Sequence, residues 1–181
     1  MKIHQAPLQG ILIIEPRVFT DERGYFYESH QAKRYLDAGI PPLIQDNISR
    51  SKQHALRGLH YQLPQAQGKL VWVTRGEVWD VMVDIRRSSP TYKQWFAMTL
   101  SDAEPRQIYI PPGFAHGFCV LSAEADFCYK CSDYYAPAME HGILWNDPEL
   151  AINWPVAQPL LSPKDAAFPT LKEIAHDKLF T

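Results

Sequence analysis

From Arg57 to Trp145 the apolar and polar positions of this chain read as strand after strand. Val, Trp, Tyr and Phe are dense there, and turn signals recur at Arg75-Gly76, Ser88-Ser89-Pro90 and Pro111-Pro112-Gly113. Upstream, residues 11–14 and the stretch from Tyr25 to Glu28 also read as strands, with a turn at Asp21-Glu22-Arg23-Gly24 between them. Ser29 to Asp37 predicts a short helix with Ser29 as N-cap and Gly39 as terminator. The tail from Trp154 is rich in proline, turns helical around Leu171 to Lys178, and reads as a segment that wraps back over the strands. Strands without alternating helices indicate a sandwich or barrel, not βαβ units.

One pair of strands predicts a register. Lys69, Val71 and Val73 share one face of their run, and Val78, Asp80 and Met82 share one face of the next. A two-residue turn at Arg75-Gly76 sets Val71 opposite Asp80 and makes Lys69 a diagonal neighbour of Asp80. A three-residue turn places the two charges on opposite faces, so the expectation depends on register. A pocket and an exposed edge are both open to such a pair. The apolar run Leu70-Val71-Trp72-Val73 beside Lys69 favours the pocket.

Composition narrows the class. With 181 residues, 46% apolar and 21% charged, the chain is expected to form one domain, 1–181, with its N-terminal strands and C-terminal segment packed on a barrel. A net charge of −2 argues against a nucleic-acid protein with a basic face. No apolar run approaches membrane-spanning length, and the opening MKIHQAPLQG lacks the pattern of a secretory signal. Three cysteines, Cys119, Cys128 and Cys131, form no disulfide framework and fit a reducing cytoplasm. Cys128 and Cys131 have C-x-x-C spacing, but they lie in a strand-like run with no second ligand pair.

The chemistry sits in two stretches that resemble halves of a broken metal site. A metal-binding double-stranded β-helix presents H-x-H, then Glu, six residues and Gly, and later P-x-G-x-x-H. Here His60 and His116 stand at two imidazole positions. Gln62 replaces the second His, and Lys69, with six residues between it and Gly76, replaces the carboxylate. An ammonium repels a cation, so the expectation is a polar pocket with a histidine base and a fixed positive charge, and no metal. Histidine titrates near neutrality and serves as a base when a carboxylate orients it. Alone in a strand, His60 would more often be a structural hydrogen-bonder, and Tyr129 an aromatic core residue. For His60, the expected convergence with Arg57, Gln62, Lys69 and His116 on one barrel mouth shifts that balance.

The strings DNISRSKQHALRGLHYQ, GKLVWVTRGEVWDVMVDIRRSSPTY, IYIPPGFAHGFCVLS, FCYKCSDYYAP, EHGILWNDPELAINWP and LSPKDA together resemble the dTDP-4-dehydrorhamnose 3,5-epimerase family, from about Arg17 to Asp165. The resemblance implies a mainly β, cupin-type jelly-roll with short peripheral helices, a homodimer without cofactor, and action on a dTDP-4-keto-6-deoxy-hexose. It implies that His60 is the base, Asp165 its orienting carboxylate, Tyr129 the acid on the other face, and Lys69, held by Asp80, the cation beside the enolate oxygen. It also implies substrate contacts at Arg23, Glu28, Gln45, Asn47, Arg57, His116, Glu140 and Lys164. By its chemistry, Phe26 or Tyr135 is suited to stack on thymine. Ile48 departs from the histidine common after that Asn. The competing readings are a 3- or 5-epimerase or ketoisomerase on the same scaffold, a metal-dependent cupin, and a non-catalytic sugar-binding module. Gln62 and Lys69 argue against the metal enzyme. A base, an acid and a carboxylate together argue against a mere binder.

Overall fold

The computed structural model describes residues 1–181. Its strands are β1 (Lys2–Gln5), β2 (Leu12–Glu15), β3 (Val18–Asp21), β4 (Gly24–Tyr27), β5 (Gln45–Lys52), β6 (Leu56–Gln62), β7 (Lys69–Arg75), β8 (Glu77–Asp84), β9 (Trp95–Ser101), β10 (Gln107–Ile110), β11 (Phe114–Val120), β12 (Glu124–Cys131) and β13 (Glu140–Gly142). Two short helices, α1 (Ala32–Asp37) and α2 (Pro163–Ala166), flank them. One sheet runs β1-β2-β10-β7-β12-β5, a second runs β13-β6-β11-β8-β9, and β3-β4 is a separate hairpin. Successive strands from β5 to β8 switch from one sheet to the other. The result is a mainly β two-sheet sandwich, as the strand spacing indicates, and it is the jelly-roll that the family resemblance implies.

Between the sheets Val71, Val73, Ile108 and Phe127 meet Val78, Met82, Phe118 and Val120 in the main core. Each such side chain contributes about 1.5–3 kcal/mol by leaving water. The outer face of the five-stranded sheet is covered by the tail, where Leu150, Leu171, Ile174 and Leu179 pack on Leu59, Tyr61, Val81 and Val83. Every residue of β11 is buried because that strand is covered on both faces. On the outer face of the six-stranded sheet, Tyr35 of α1 and Ile40 pack on Leu12, Ile14, Leu70 and Tyr109.

Three expectations need correction. The β7–β8 pairing does not form: Val71 pairs with Ile108 and Tyr129, whereas Asp80 pairs with Phe118 and Met98 in the other sheet. The Arg75-Gly76 turn carries the chain across the sandwich, so Lys69 and Asp80 belong to opposite walls. Helix α1 starts later than expected, because the Gln31 side chain, not Ser29, accepts the hydrogen bond from the Arg34 amide. Around Leu171–Lys178 the tail makes two single 3₁₀ turns, Leu171–Glu173 and His176–Lys178.

Candidate active site

A cavity of about 370 Å³ opens between the sheets at one end of the sandwich. The pleat determines which side chains enter it. On β12, Tyr129 and Cys131 alternate inward with Phe127, while Cys128 and Lys130 point outward. Tyr129 and Cys131 therefore line the cavity, and Cys128 bonds Thr74 on the far face. Both thiols are free, and spacing on a strand puts them on opposite sides of the sheet. From β5, Gln45, Asn47 and Ser49 point into the same space, and β7 supplies Lys69, paired directly with Cys131.

The opposite wall carries the histidines. His60 of β6 and His116 of β11 are register partners, and both line the cavity. These strands approach closely just before His60. A Cβ on Gly58 would lie 2.5 Å from the Gly117 Cα, and its φ of +129° is one that side-chain-bearing residues rarely adopt. The ladder shifts register between His116 and Phe118 at this contact.

His60 is gripped from the tail. Its Nε2 lies 2.5 Å from Asp165 Oδ1, across 105 positions of sequence. Asp165 sits on α2, whose N-cap Ser162 donates to Asp165 Oδ2 at 2.8 Å and accepts from the Asp165 amide at 3.0 Å. Phe168 meets the imidazole edge-on, with ring centres 5.6 Å apart. It occupies the space left by Gly142, the β13 partner of His60. Burial pushes the Asp165 carboxyl up, but the bonds from His60 and Ser162 and the Lys164 charge outweigh it. The group is held below the ordinary carboxylate range.

Glu140 of β13 places Oε1 4.0 Å from His60 Nδ1. Its other oxygen accepts from Tyr135 at 2.7 Å and pairs with the Lys164 ammonium. Burial raises this carboxyl, while Lys164, Tyr135 and His60 lower it further, so it is ionised near neutrality. Burial drives the Lys69 ammonium downward, against the opposing pull of Cys131, Glu140 and Asp80. Burial foremost, with Cys131 and Glu140, pushes the Tyr129 phenol up, while Arg57 opposes. Arg57 is braced by Ser51, which accepts from its Nε at 2.9 Å.

Three expected roles change. Asp80 does not hold Lys69. Its Oδ1 accepts from His116 Nε2 at 2.7 Å, because Asp80 and His116 are diagonal neighbours on adjacent β8 and β11. Its remaining tie to Lys69 is the attraction of charges across the cavity. Arg23 and Glu28 lie outside the cavity. Arg23 forks onto Asp21 and Glu28 pairs with Arg34, all exposed. Gln62, at the vacant imidazole position, clamps a loop: its amide donates to the Gln65 carbonyl and its oxygen accepts from the Ala136 amide. Nowhere do three His, Cys, Asp or Glu side chains converge in a metal-holding group.

Ser162 and Phe168 were not anticipated from the sequence. Ser162-Pro163-Lys164-Asp165 carries a helix-start signal, a Ser cap followed by Pro at the first helical position and an acid at the third. That signal was available to read. Nothing local announces that Phe168 reaches the empty side of Gly142.

The sequence pattern that defines dTDP-4-dehydrorhamnose 3,5-epimerases matches residues 5–173. The dTDP-4-dehydrorhamnose 3,5-epimerase of Pseudomonas aeruginosa is 53% identical over 168 residues, spanning 91% of this chain and 93% of that one. A dTDP-4-dehydrorhamnose 3-epimerase of Streptomyces niveus is 42% identical across 91% of this chain and 81% of its own. The crystal structure of the Legionella pneumophila dTDP-6-deoxy-D-glucose-3,5-epimerase in complex with dTDP-4-keto-L-rhamnose matches with a TM-score of 0.96 and 55% identity, covering 99% of this chain and 97% of that one. By sequence pattern, by identity along nearly its whole length and by overall structure, the chain belongs to the dTDP-4-dehydrorhamnose 3,5-epimerase family.

Proposed function

We propose that the chain inverts C3 and C5 of dTDP-4-dehydro-6-deoxy-D-glucose, giving dTDP-4-dehydro-L-rhamnose without metal or cofactor. The observation that carries this reading is the His60–Asp165 pair opening into a cavity that also holds Tyr129 and Lys69. The C4 ketone acidifies the protons on both neighbouring carbons. His60 takes one through the ring nitrogen that Asp165 leaves free, and Asp165 stabilises the imidazolium. Lys69 stands by the enolate oxygen as a fixed charge in a water-poor site, a contribution of about 3–4 kcal/mol for one such group. Tyr129, kept protonated by its burial, returns a proton from the facing wall. Once His60 has released its proton to solvent and Tyr129 has regained one, the same cycle at the second carbon completes the double inversion.

Arg57, Gln45, Asn47, His116, Glu140 and Lys164 hold the substrate, with the cationic groups suited to diphosphate. Tyr135, tethered to Glu140 at the rim, is the better placed aromatic for thymine. We further propose a cytoplasmic homodimer with 1–181 as one domain. Phe26 is 68% exposed on the β3-β4 hairpin and Ile48 is 77% exposed on β5, apolar side chains that a second copy could cover. Such an arrangement would bring Arg23 and Glu28 to the neighbouring cavity.

Incubation with dTDP-4-dehydro-6-deoxy-D-glucose in D2O tests the reaction, with deuterium expected at C3 and C5. Label at C3 alone would make this a 3-epimerase. No label at either carbon would leave only a binding module.

A further inference from the structure

Asp165 is fixed at both oxygens, and only one of its partners is the imidazole. Oδ1 faces His60 at 2.5 Å, while Oδ2 accepts a hydrogen bond from Ser162 Oγ at 2.8 Å. Ser162 in turn is fixed by the Asp165 amide, which donates to the same Oγ at 3.0 Å. That amide supplies the hydroxyl's acceptor role, so its proton is directed to the carboxylate. The carboxylate is buried, with no other side chain on Oδ2. Pro163 follows Ser162 and fixes the backbone where the chain enters α2.

We propose that Ser162 is a positioning residue for proton transfer: its hydroxyl sets the rotation and charge of Asp165, and through Asp165 the orientation and basicity of His60. The inference rests on the reading of His60 as the base. Without the hydroxyl, the carboxylate keeps one anchor fewer and its ionised form loses a charge-assisted bond. The Asp165 carboxylate, no longer sharing its charge with a hydroxyl, attracts the imidazolium more strongly, and the dyad is disabled earlier on acidification. The acid limb of the rate profile moves upward in pH. A purely architectural cap would lower folded stability and leave that limb where it was.

The test compares wild type, Ser162→Ala, Ser162→Thr and His60→Ala as full-length protein. Turnover of dTDP-4-dehydro-6-deoxy-D-glucose is measured across pH, together with the downfield proton resonance of the His60–Asp165 hydrogen bond in the free enzyme. Ser162→Ala is expected to lower kcat roughly tenfold to a hundredfold, the loss of one bond to a charged group, with KM within about twofold. The acid limb and the downfield resonance should both shift. Ser162→Thr, which keeps a hydroxyl and a good cap, should restore both. A Ser162→Ala protein with an unmoved acid limb and an unmoved resonance overturns the inference, even if it melts earlier. Loss of exchange in His60→Ala with an unaltered Ser162→Ala removes the role of Ser162 alone. Full exchange in His60→Ala removes the base assignment and the Ser162 role with it.

Discussion

Asp80 holds His116 through one carboxylate oxygen at 2.7 Å, and its second oxygen is buried with no partner. A buried carboxylate with a free oxygen costs stability, so its retention points to what it does for the imidazole. Asp80→Asn should leave the melting temperature unchanged or raise it slightly. It should also raise KM about tenfold, because His116 loses the charge that fixes its tautomer. Thermal melts and steady-state kinetics on the same preparation decide this. A large loss of stability with normal KM would make the pair structural.

Lys69 poses the opposing problem on the facing wall. Its ammonium is held below the ordinary lysine range by burial. A lowered folded-state value means that the charged form costs stability, and that folding becomes more favourable as pH rises from that value towards 10.5. Lys69→Met should raise the melting temperature by about 2–4 °C while reducing kcat by roughly a hundredfold or more. A variant less stable than wild type would show that the ammonium contributes binding contacts to the fold.

Gly142 faces His60 across the β13–β6 ladder, and Phe168 fills the space its side chain would occupy. Gly142→Ala should push Phe168 off the imidazole and lower kcat about tenfold. Phe168→Ala should have a similar effect. The double variant should lose little more than either single one, because both changes break the same contact. Additive losses would show that the two residues act separately.

Acid stability should follow the two carboxylates beside His60. Asp165 and Glu140 both titrate below their ordinary values of 3.8 and 4.5 in the folded chain. Their contribution is complete above those values and is lost as pH falls through the lower folded ones. Urea unfolding below pH 4 should therefore steepen with acid, and Asp165→Asn should flatten part of that slope. The same slope in Asp165→Asn would place the acid sensitivity elsewhere.

The exposed hairpin predicts a shared site. Ile48→Glu should shift the protein from dimer to monomer in sedimentation. An Arg23→Ala, Glu28→Ala double variant should raise KM while leaving the fold intact. Mixing that double variant with His60→Ala should regenerate about a quarter of the activity, because one cavity in the mixed dimer is then whole. No recovery on mixing would place Arg23 and Glu28 outside catalysis.

The strand-rich centre was legible because alternation in β7 and β12 reports directly on which face is buried. Eight residues of the cavity, Gln45, Asn47, Arg57, His60, Lys69, His116, Tyr129 and Glu140, were legible by another route, the broken metal-site motif and the family resemblance. What failed was pairing. The Arg75-Gly76 turn has the residues of a tight hairpin, yet it carries the chain from one sheet to the other. Local chemistry could not distinguish the two, since both need the same backbone reversal. Asp80 was consequently joined to Lys69 and not to His116, which approaches from β11, 36 positions away. The α1 cap was misplaced by two residues because Gln31 performs a task that Ser29 is better known for.

The carboxylate that arms His60 arrives from a segment laid over the barrel after both sheets are complete. A molecule with every strand in place but the tail undocked would have a shaped cavity and an unguided imidazole. Chemical competence therefore belongs to the docked tail as much as to the barrel, and it is lost when the tail is pried loose even if every strand stays in place.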